Sequence, residues 1–581
     1  MRQTLQNINK CLTIIFILLL SVLVEQKADA APTAGDLLNR ERDLNQLNKI
    51  PKDIPKDLRE EQPAPIPKQE EFRVLIKDFE FQGEITLFTK EQLKEVLKDL
   101  TNKELTFKEI LGAAQKIRDF YKLRGFFLTN VTVPNQEIID GKVILIILEG
   151  KLDTKQPYQI NGKNLRLQKE SIKQYFTEAL TKRLDENSLD RAILNLNNNP
   201  GITASVTLRP GSTPGTTSMI INVDEGPMMT GTVGGNNYGS RYTGALKTNV
   251  SLNIQNPLEY GDAIKLQVSK APKDNFDFHQ LEYEFPIGRS GLRSNILYNR
   301  LEYKIGKELA TTPMTMGVAK TYDIHLRYPL YLTSGTSLFV GTGYVHNNFY
   351  NETTGVITSN KRVDSYDLQL EAKHVDEWFL GAYTLLNISN NYGTLDLTHN
   401  ASDYANDQSA ARTHGDYKKT NIDVVRIQKL SSTMNLNIVG KIQYANKNLD
   451  SSQKISLGGP VGVRAFPAGE ASGDEGRKIS VDLKYKVPNQ PPTNPITLSA
   501  FYDYGRIRQY KNTENINMTT ANEYSLAGWG LALDFSIFQV MNLQLGWADA
   551  LGDNEGKSSQ GKNLDGRGDM SRYWLSINFL Y

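Results

Sequence analysis

With 581 residues, the chain is long enough for several domains of ~100–200 residues each. Its 67 Lys+Arg nearly cancel 65 Asp+Glu, leaving +2, which gives no reason to expect a nucleic-acid binder. Hydrophobic residues make up only 39%, which excludes a bundle of membrane helices, while 27 Tyr, 21 Phe and 44 Gly suit a chain rich in strands and turns.

Residues 1–30 read as an export signal. Arg2 and Lys10 precede an apolar run from Cys11 to Val24, and Ala28-Asp29-Ala30 offers the small-x-small pattern of a cleavage site. The run is shorter than the ~20 residues that span a bilayer. Cys11 precedes it, which argues against a lipoprotein anchor. Cys11 is also the only cysteine, so the mature chain is expected to lack disulfides, thiolate metal sites and cysteine nucleophiles.

In residues 31–50, Leu37, Leu38, Leu44, Leu47 and Ile50 recur among charges, which predicts an amphipathic helix over 34–50. Pro51, Pro55, Pro63, Pro65 and Pro67 follow among Lys and Glu, so 51–71 reads as an extended linker. A helix on such a tether can dock and undock; a frayed terminal helix without a role is the alternative.

Residues 72–150 change character. Phe72, Val74 and Ile76 alternate as a strand, and capping boxes at Thr89–Gln92 and Thr106–Glu109 open two helices. Gly125 stops the second, where a residue at positive φ is needed. Strands are expected at Phe127–Val133 and Lys142–Leu148, closing on Glu149-Gly150, in the order β-α-α-β-β. Residues 151–226 repeat that order more loosely: a strand at Tyr158–Ile160, helices at about 168–180 and 186–196, strands at Ile202–Leu208 and Met219–Val223, then Glu225-Gly226. Two successive units with the same ending form a degenerate repeat.

From 227 to 581 the period becomes two. Tyr366, Leu368, Leu370 and Ala372 share one parity, as do Met434, Leu436, Ile438, Ile442 and Tyr444, and Ile479, Val481, Leu483, Tyr485 and Val487. Tyr573, Leu575, Ile577, Phe579 and Tyr581 close the chain in the same way. Such segments, separated by turns, predict a transmembrane β-barrel of roughly 16 strands. A large soluble sandwich alternates too, but the export signal and the aromatic strand ends favour the barrel.

Chemistry is scarce. The six histidines are scattered without metal-ligand spacing, and there is no nucleophile elbow. Gly552 to Ser558 looks like a phosphate loop one residue short, and reads as a barrel loop. No enzyme, metal or cofactor is expected. Two segments rise above this background. The first is a turn-rich loop, Gly458 to Pro467, containing Val463-Arg464-Ala465-Phe466. The second is Phe501-Tyr502-Asp503-Tyr504-Gly505, in which Phe501, Asp503 and Gly505 share a face. If that face points into a lumen, Asp503 needs a partner and Arg464 can supply a bidentate one; otherwise both are solvated and contribute little.

These residues resemble those of the outer-membrane transporters of two-partner secretion, the haemolysin secretion/activation family, over nearly the whole mature chain. Tyr121, Gly125, Pro134, Gln136, Glu149 and Gly150 match the family's first polypeptide-transport-associated (POTRA) module, and Pro200 and Gly201 match its second. Asn237 to Gly244, Asn256-Pro257-Leu258 and Gly261-Asp262 match the opening of its barrel. The resemblance implies a plug helix (31–50), a linker, two periplasmic POTRA modules (72–150, 151–226) and a 16-stranded barrel (227–581). It also implies a sixth loop whose Arg464 meets Asp503, with Ala465 departing from the family's Gly. The implied function is an outer-membrane pore of a Gram-negative bacterium. Its POTRA modules would take the N-terminal secretion domain of one large exoprotein, with no nucleotide used. A barrel-assembly factor is the alternative; two modules and a plug-like helix argue against it.

Overall fold

A computed structural model describes residues 31–47, 73–163, 165–181, 184–213 and 215–581. The expected export signal and linker lie outside the described residues, as do Ile50 and Phe72.

The C-terminal part is a closed barrel of 16 antiparallel strands, from Met229–Asn236 to Ser571–Leu580. The apolar parity faces outward: Leu368 is 54% and Tyr573 72% exposed, and Tyr366, Leu370, Ile479, Leu483 and Tyr485 are exposed with them. A soluble sandwich would bury that parity, so the observed exposure fits a wall facing lipid. Tyr344, Tyr366 and Tyr392 pair directly across neighbouring strands, an aromatic row suited to a membrane interface. The longest strand, Val356–Asp376, has 21 residues. At ~3.3 Å per residue and ~45° tilt it climbs roughly 50 Å, about twice the apolar band of such barrels. Strands Thr336–Thr353 and Val356–Asp376 therefore rise beyond the membrane as a hairpin, closed by Thr354 and Gly355, both at positive φ. The closing ladder between first and last strands is the shortest in the barrel, running from Thr232↔Leu580 to Asn236↔Ser576.

Two α+β modules precede the barrel. In the first, strand Asp78–Gln82 and strand Lys142–Leu148 are parallel neighbours, with Asn130–Thr132 on the far edge. Helices Lys90–Val96 and Phe107–Lys122 begin at the two expected capping boxes, and Gly125 has φ 88°. The expected order needs correction. An additional strand, Lys103–Thr106, pairs with Arg73–Ile76, and the strand expected at Phe127–Val133 shrinks to Asn130–Thr132. In the second module the helix expected over 168–180 breaks into Lys169–Tyr175 and Thr177–Thr181. Its last strand, Thr216–Glu225, lies between Tyr158–Lys163 and Ile202–Pro210. The helix expected over 34–50 is described as Ala34–Leu47, and it lies inside the barrel.

Candidate functional site: the plugged lumen

The loop between strands Met434–Ala445 and Glu475–Lys486 folds back into the lumen, stiffened by a short ladder of Ile455–Ser456 with Ser472–Gly473. Its tip carries Arg464 to strand Ile496–Arg508, where Phe501, Asp503 and Gly505 share the inner face. Arg464 donates to both Asp503 oxygens, Nε at 2.8 Å and Nη2 at 2.7 Å, and its backbone N–H adds a third bond at 3.0 Å. The guanidinium stacks on the Phe501 ring at 3.4 Å and reaches Asp482 Oδ1 at 2.5 Å. Trp574 Nε1 donates to the Arg464 carbonyl at 2.7 Å. Asp503 is fully buried, so this bidentate pair is shielded from the solvent that makes surface pairs weak.

Val463, Ala465 and Phe466 are buried with Leu457, Phe501, Leu526 and Ala548. Gly505 lets Leu457 lie against its strand, since a Cβ there would come within 2.9 Å of the leucine. Ala465 is not among the residues at positive φ. Its methyl fits because the facing residue is Gly528, whose Cβ would be 2.6 Å from that of Ala465. The Ala465 methyl is thus accommodated by an absent side chain on the opposite wall.

Helix Ala34–Leu47 fills the space beside this loop. Ala34, Leu37 and Leu38 are buried in an apolar cluster with Phe278, Tyr303 and Phe349 of the wall. Beyond Leu38 the contacts become polar, because barrel interiors carry the polar parity. Arg40 packs against Gly469 of the loop, and Glu41 pairs with Lys247. Arg42 donates to Asn347 (2.9 Å), and Asp43 accepts from Lys441 (2.8 Å). Of the leucines that suggested the helix, Leu37 and Leu38 enter that cluster, whereas Leu44 lines a water-sized gap beside the loop.

The modules contain a repeated carboxylate clamp. Glu149 accepts from the Thr86 and Leu87 amides (2.9 and 3.0 Å) and from the Tyr121 hydroxyl (2.9 Å). Burial works against its charge, but the bonds from Leu87, Thr86 and Tyr121 outweigh it and hold the carboxyl below the usual carboxylate range. In the second module the Glu225 carboxylate accepts in the same pattern from the Arg166 and Leu167 amides (2.6 and 3.0 Å). Its other oxygen accepts from Asn256 Nδ2, in the turn after the second barrel strand, at 2.7 Å, so this clamp also fastens the module to the barrel. Arg293 adds a second fastening through Asn199 at 3.0 Å.

The remaining module residues have local roles. Gln136 bonds both backbone groups of Ile144 (2.7 and 2.9 Å), Pro134 precedes it, and Gly150 packs on Leu128. Gly201, after Pro200, sits against Gln255 of the barrel.

Sequence reasoning missed Asp482, Trp574 and Lys441. Each lies on the inward parity of its strand, where it could have been noticed. Asp482 lies between the outward Val481 and Leu483, Trp574 is an aromatic on the polar side of its strand, and Lys441 shares the inner face with Asn437 and Gln443.

Comparisons with known proteins agree with this architecture. The family model "Haemolysin secretion/activation protein ShlB/FhaC/HecB" matches residues 215–535, and "POTRA domain, ShlB-type" matches 74–150. The chain is 26% identical over 499 residues to the heme/hemopexin transporter protein HuxB of Haemophilus influenzae, covering 84% of this chain and 83% of that one. It is 23% identical over 410 residues to the outer membrane transporter CdiB of Dickeya dadantii, covering 69% and 70%. Among solved structures, CdiB from Escherichia coli superposes with TM-score 0.74 at 16% identity, over 95% of this chain and 100% of that one. With its 16-stranded barrel, its lumenal loop and a family match over more than half its length, the chain belongs to the ShlB/FhaC/HecB family of haemolysin secretion/activation proteins.

Proposed function

We propose that this outer-membrane protein exports one large partner exoprotein from the periplasm to the cell surface by two-partner secretion, with helix 34–47 as its resting plug. The observation that carries the reading is the occupied lumen. The chain's own helix, held by one apolar patch and a set of exchangeable polar bonds, closes a barrel otherwise wide enough to hold it. Family membership and the HuxB and CdiB relatives support the same reading. The incoming chain would first meet the modules. Strand Ile202–Pro210 pairs on one side only among the described residues, with Thr216–Glu225, and so offers a free edge to an extended segment. Backbone pairing there gives affinity without demanding one sequence. With no nucleotide to draw on, transport runs on binding and on folding of the cargo outside. Arg464 and Asp503 would hold the lumenal loop in its transport-competent position.

The test compares secreted and surface proteomes of cells carrying the wild-type protein or Asp503→Arg. Loss of one or two large exported proteins, with other barrels intact, is the expected result and names the cargo. A general fall in outer-membrane barrels would instead mark an assembly factor.

A further inference from the structure

Asp423, Lys441 and Lys478 stand side by side on the inner faces of three neighbouring strands, in the registers Asp423↔Lys441 and Lys441↔Lys478. Two ammonium groups directly opposite each other across a ladder repel. Here both are largely buried, with side chains 18% and 10% exposed. The carboxylate that reconciles them does not come from the wall. Asp43 of the plug helix places Oδ1 2.8 Å from Lys441 Nζ and Oδ2 3.6 Å from Lys478 Nζ. Among the described residues neither lysine has another carboxylate at ion-pair distance, because Asp423 lies beyond it. The wall therefore leaves between its two lysines a place for a carboxylate that its own Asp423 does not reach. A helix that leaves the lumen takes that carboxylate away and leaves two like charges directly opposite each other on the wall of the opened channel, an arrangement that favours a new anionic partner.

We propose that Lys441 and Lys478 form a carboxylate-binding site on the cargo path, which Asp43 occupies at rest as an internal stand-in. An Asp or Glu side chain of the transported polypeptide takes the place once the helix has left. The inference rests on the transport reading above and adds a chemical preference to it. An acidic residue entering the lumen relieves the lysine pair and keeps Asp43 from returning while the chain is in transit.

The test is ion conductance of the full-length protein in planar lipid bilayers. Leu37→Asp/Leu38→Asp displaces the helix by placing charge in its apolar cluster. Gly35→Trp serves where that pair leaves the pore shut, since even a Cβ at Gly35 would be 2.7 Å from Ser452 Cβ. Octaglutamate added on the periplasmic side should block the open channel, and octalysine should not. Adding Lys441→Gln and Lys478→Gln, singly and together, should weaken the octaglutamate block by about tenfold or more, the scale of a lost charge-assisted hydrogen bond. The single variants keep the comparison intact if the double variant does not assemble. Equal block by both peptides, or an octaglutamate block unchanged by the lysine substitutions, overturns the proposal. The peptides need no exoprotein, so this result is separate from the proteome comparison that decides the transport reading.

Discussion

Neutralising Asp503 and Asp482 in turn should separate their shares in holding the lumenal loop. Asp503 accepts three bonds from Arg464 and is buried, whereas Asp482 accepts one short bond and one long one of 3.4 Å, and its side chain is 22% exposed. A charge-assisted bond contributes ~1.5–3 kcal/mol net, and removing one partner of a buried pair costs ~3–5 kcal/mol. In Asp503→Asn the guanidinium keeps Asp482, so about 2–4 kcal/mol is expected, or roughly 30- to 1,000-fold in the undocked fraction. Asp482→Asn should cost about 1 kcal/mol, because solvent already screens that contact. Combining Asp503→Asn with Arg464→Gln should cost less than the sum of the single changes, since neither group then remains buried and unpaired. Protease cleavage within residues 446–474 of the detergent-solubilised protein, followed against urea, measures loop release in each variant. Equal effects of the two Asn variants, or strict additivity in the cycle, would refute the reasoning.

Three further outcomes follow from the geometry. Gly528→Ala should disturb the loop tip by setting two methyls 2.6 Å apart, and adding Ala465→Gly should restore it, as the same protease assay reads. Leu38→Ala should remove buried apolar contact worth about 2–3 kcal/mol and raise the open probability of single channels without altering their conductance. Glu149 has its carboxyl held below the ordinary range, so it stabilises the first module fully above that range and progressively less as pH falls through the lowered value. Hydrogen exchange at the Thr86 and Leu87 amides should therefore accelerate in acid beyond the intrinsic trend, and Glu149→Gln should abolish that excess.

The barrel could be read from sequence because its signal is local. Alternation along each strand needs no knowledge of neighbours, and the outward exposure of Leu368 or Tyr573 repeats the parity of the chain itself. Both capping boxes and the stop at Gly125 were legible for the same reason. Strand Lys103–Thr106 was not, because its pairing with Arg73–Ile76 is a tertiary fact that overrides a polar, unalternating segment. Arg464 and Asp503 stood out from the residues alone, which left their pairing open; the resemblance then implied it. Asp482, Trp574 and Lys441 become meaningful only when strands distant in sequence face one lumen, and no one-dimensional period carries that information.

The four consecutive charges of helix Ala34–Leu47 also restrict the registers in which it can seat. Successive helical residues point ~100° apart, so Arg40, Glu41, Arg42 and Asp43 sweep most of the circumference and meet four different stretches of the interior. Because their signs alternate, advancing the helix by a single residue along its own screw would bring Arg42 to Lys247 and leave Lys441 and Lys478 facing Leu44. A slip by one residue in either direction is electrostatically wrong, because it sets an arginine against a lysine. In the transport cycle proposed above, closure would then favour one exact seating, set by charge order in a helix with only one small apolar patch to hold it.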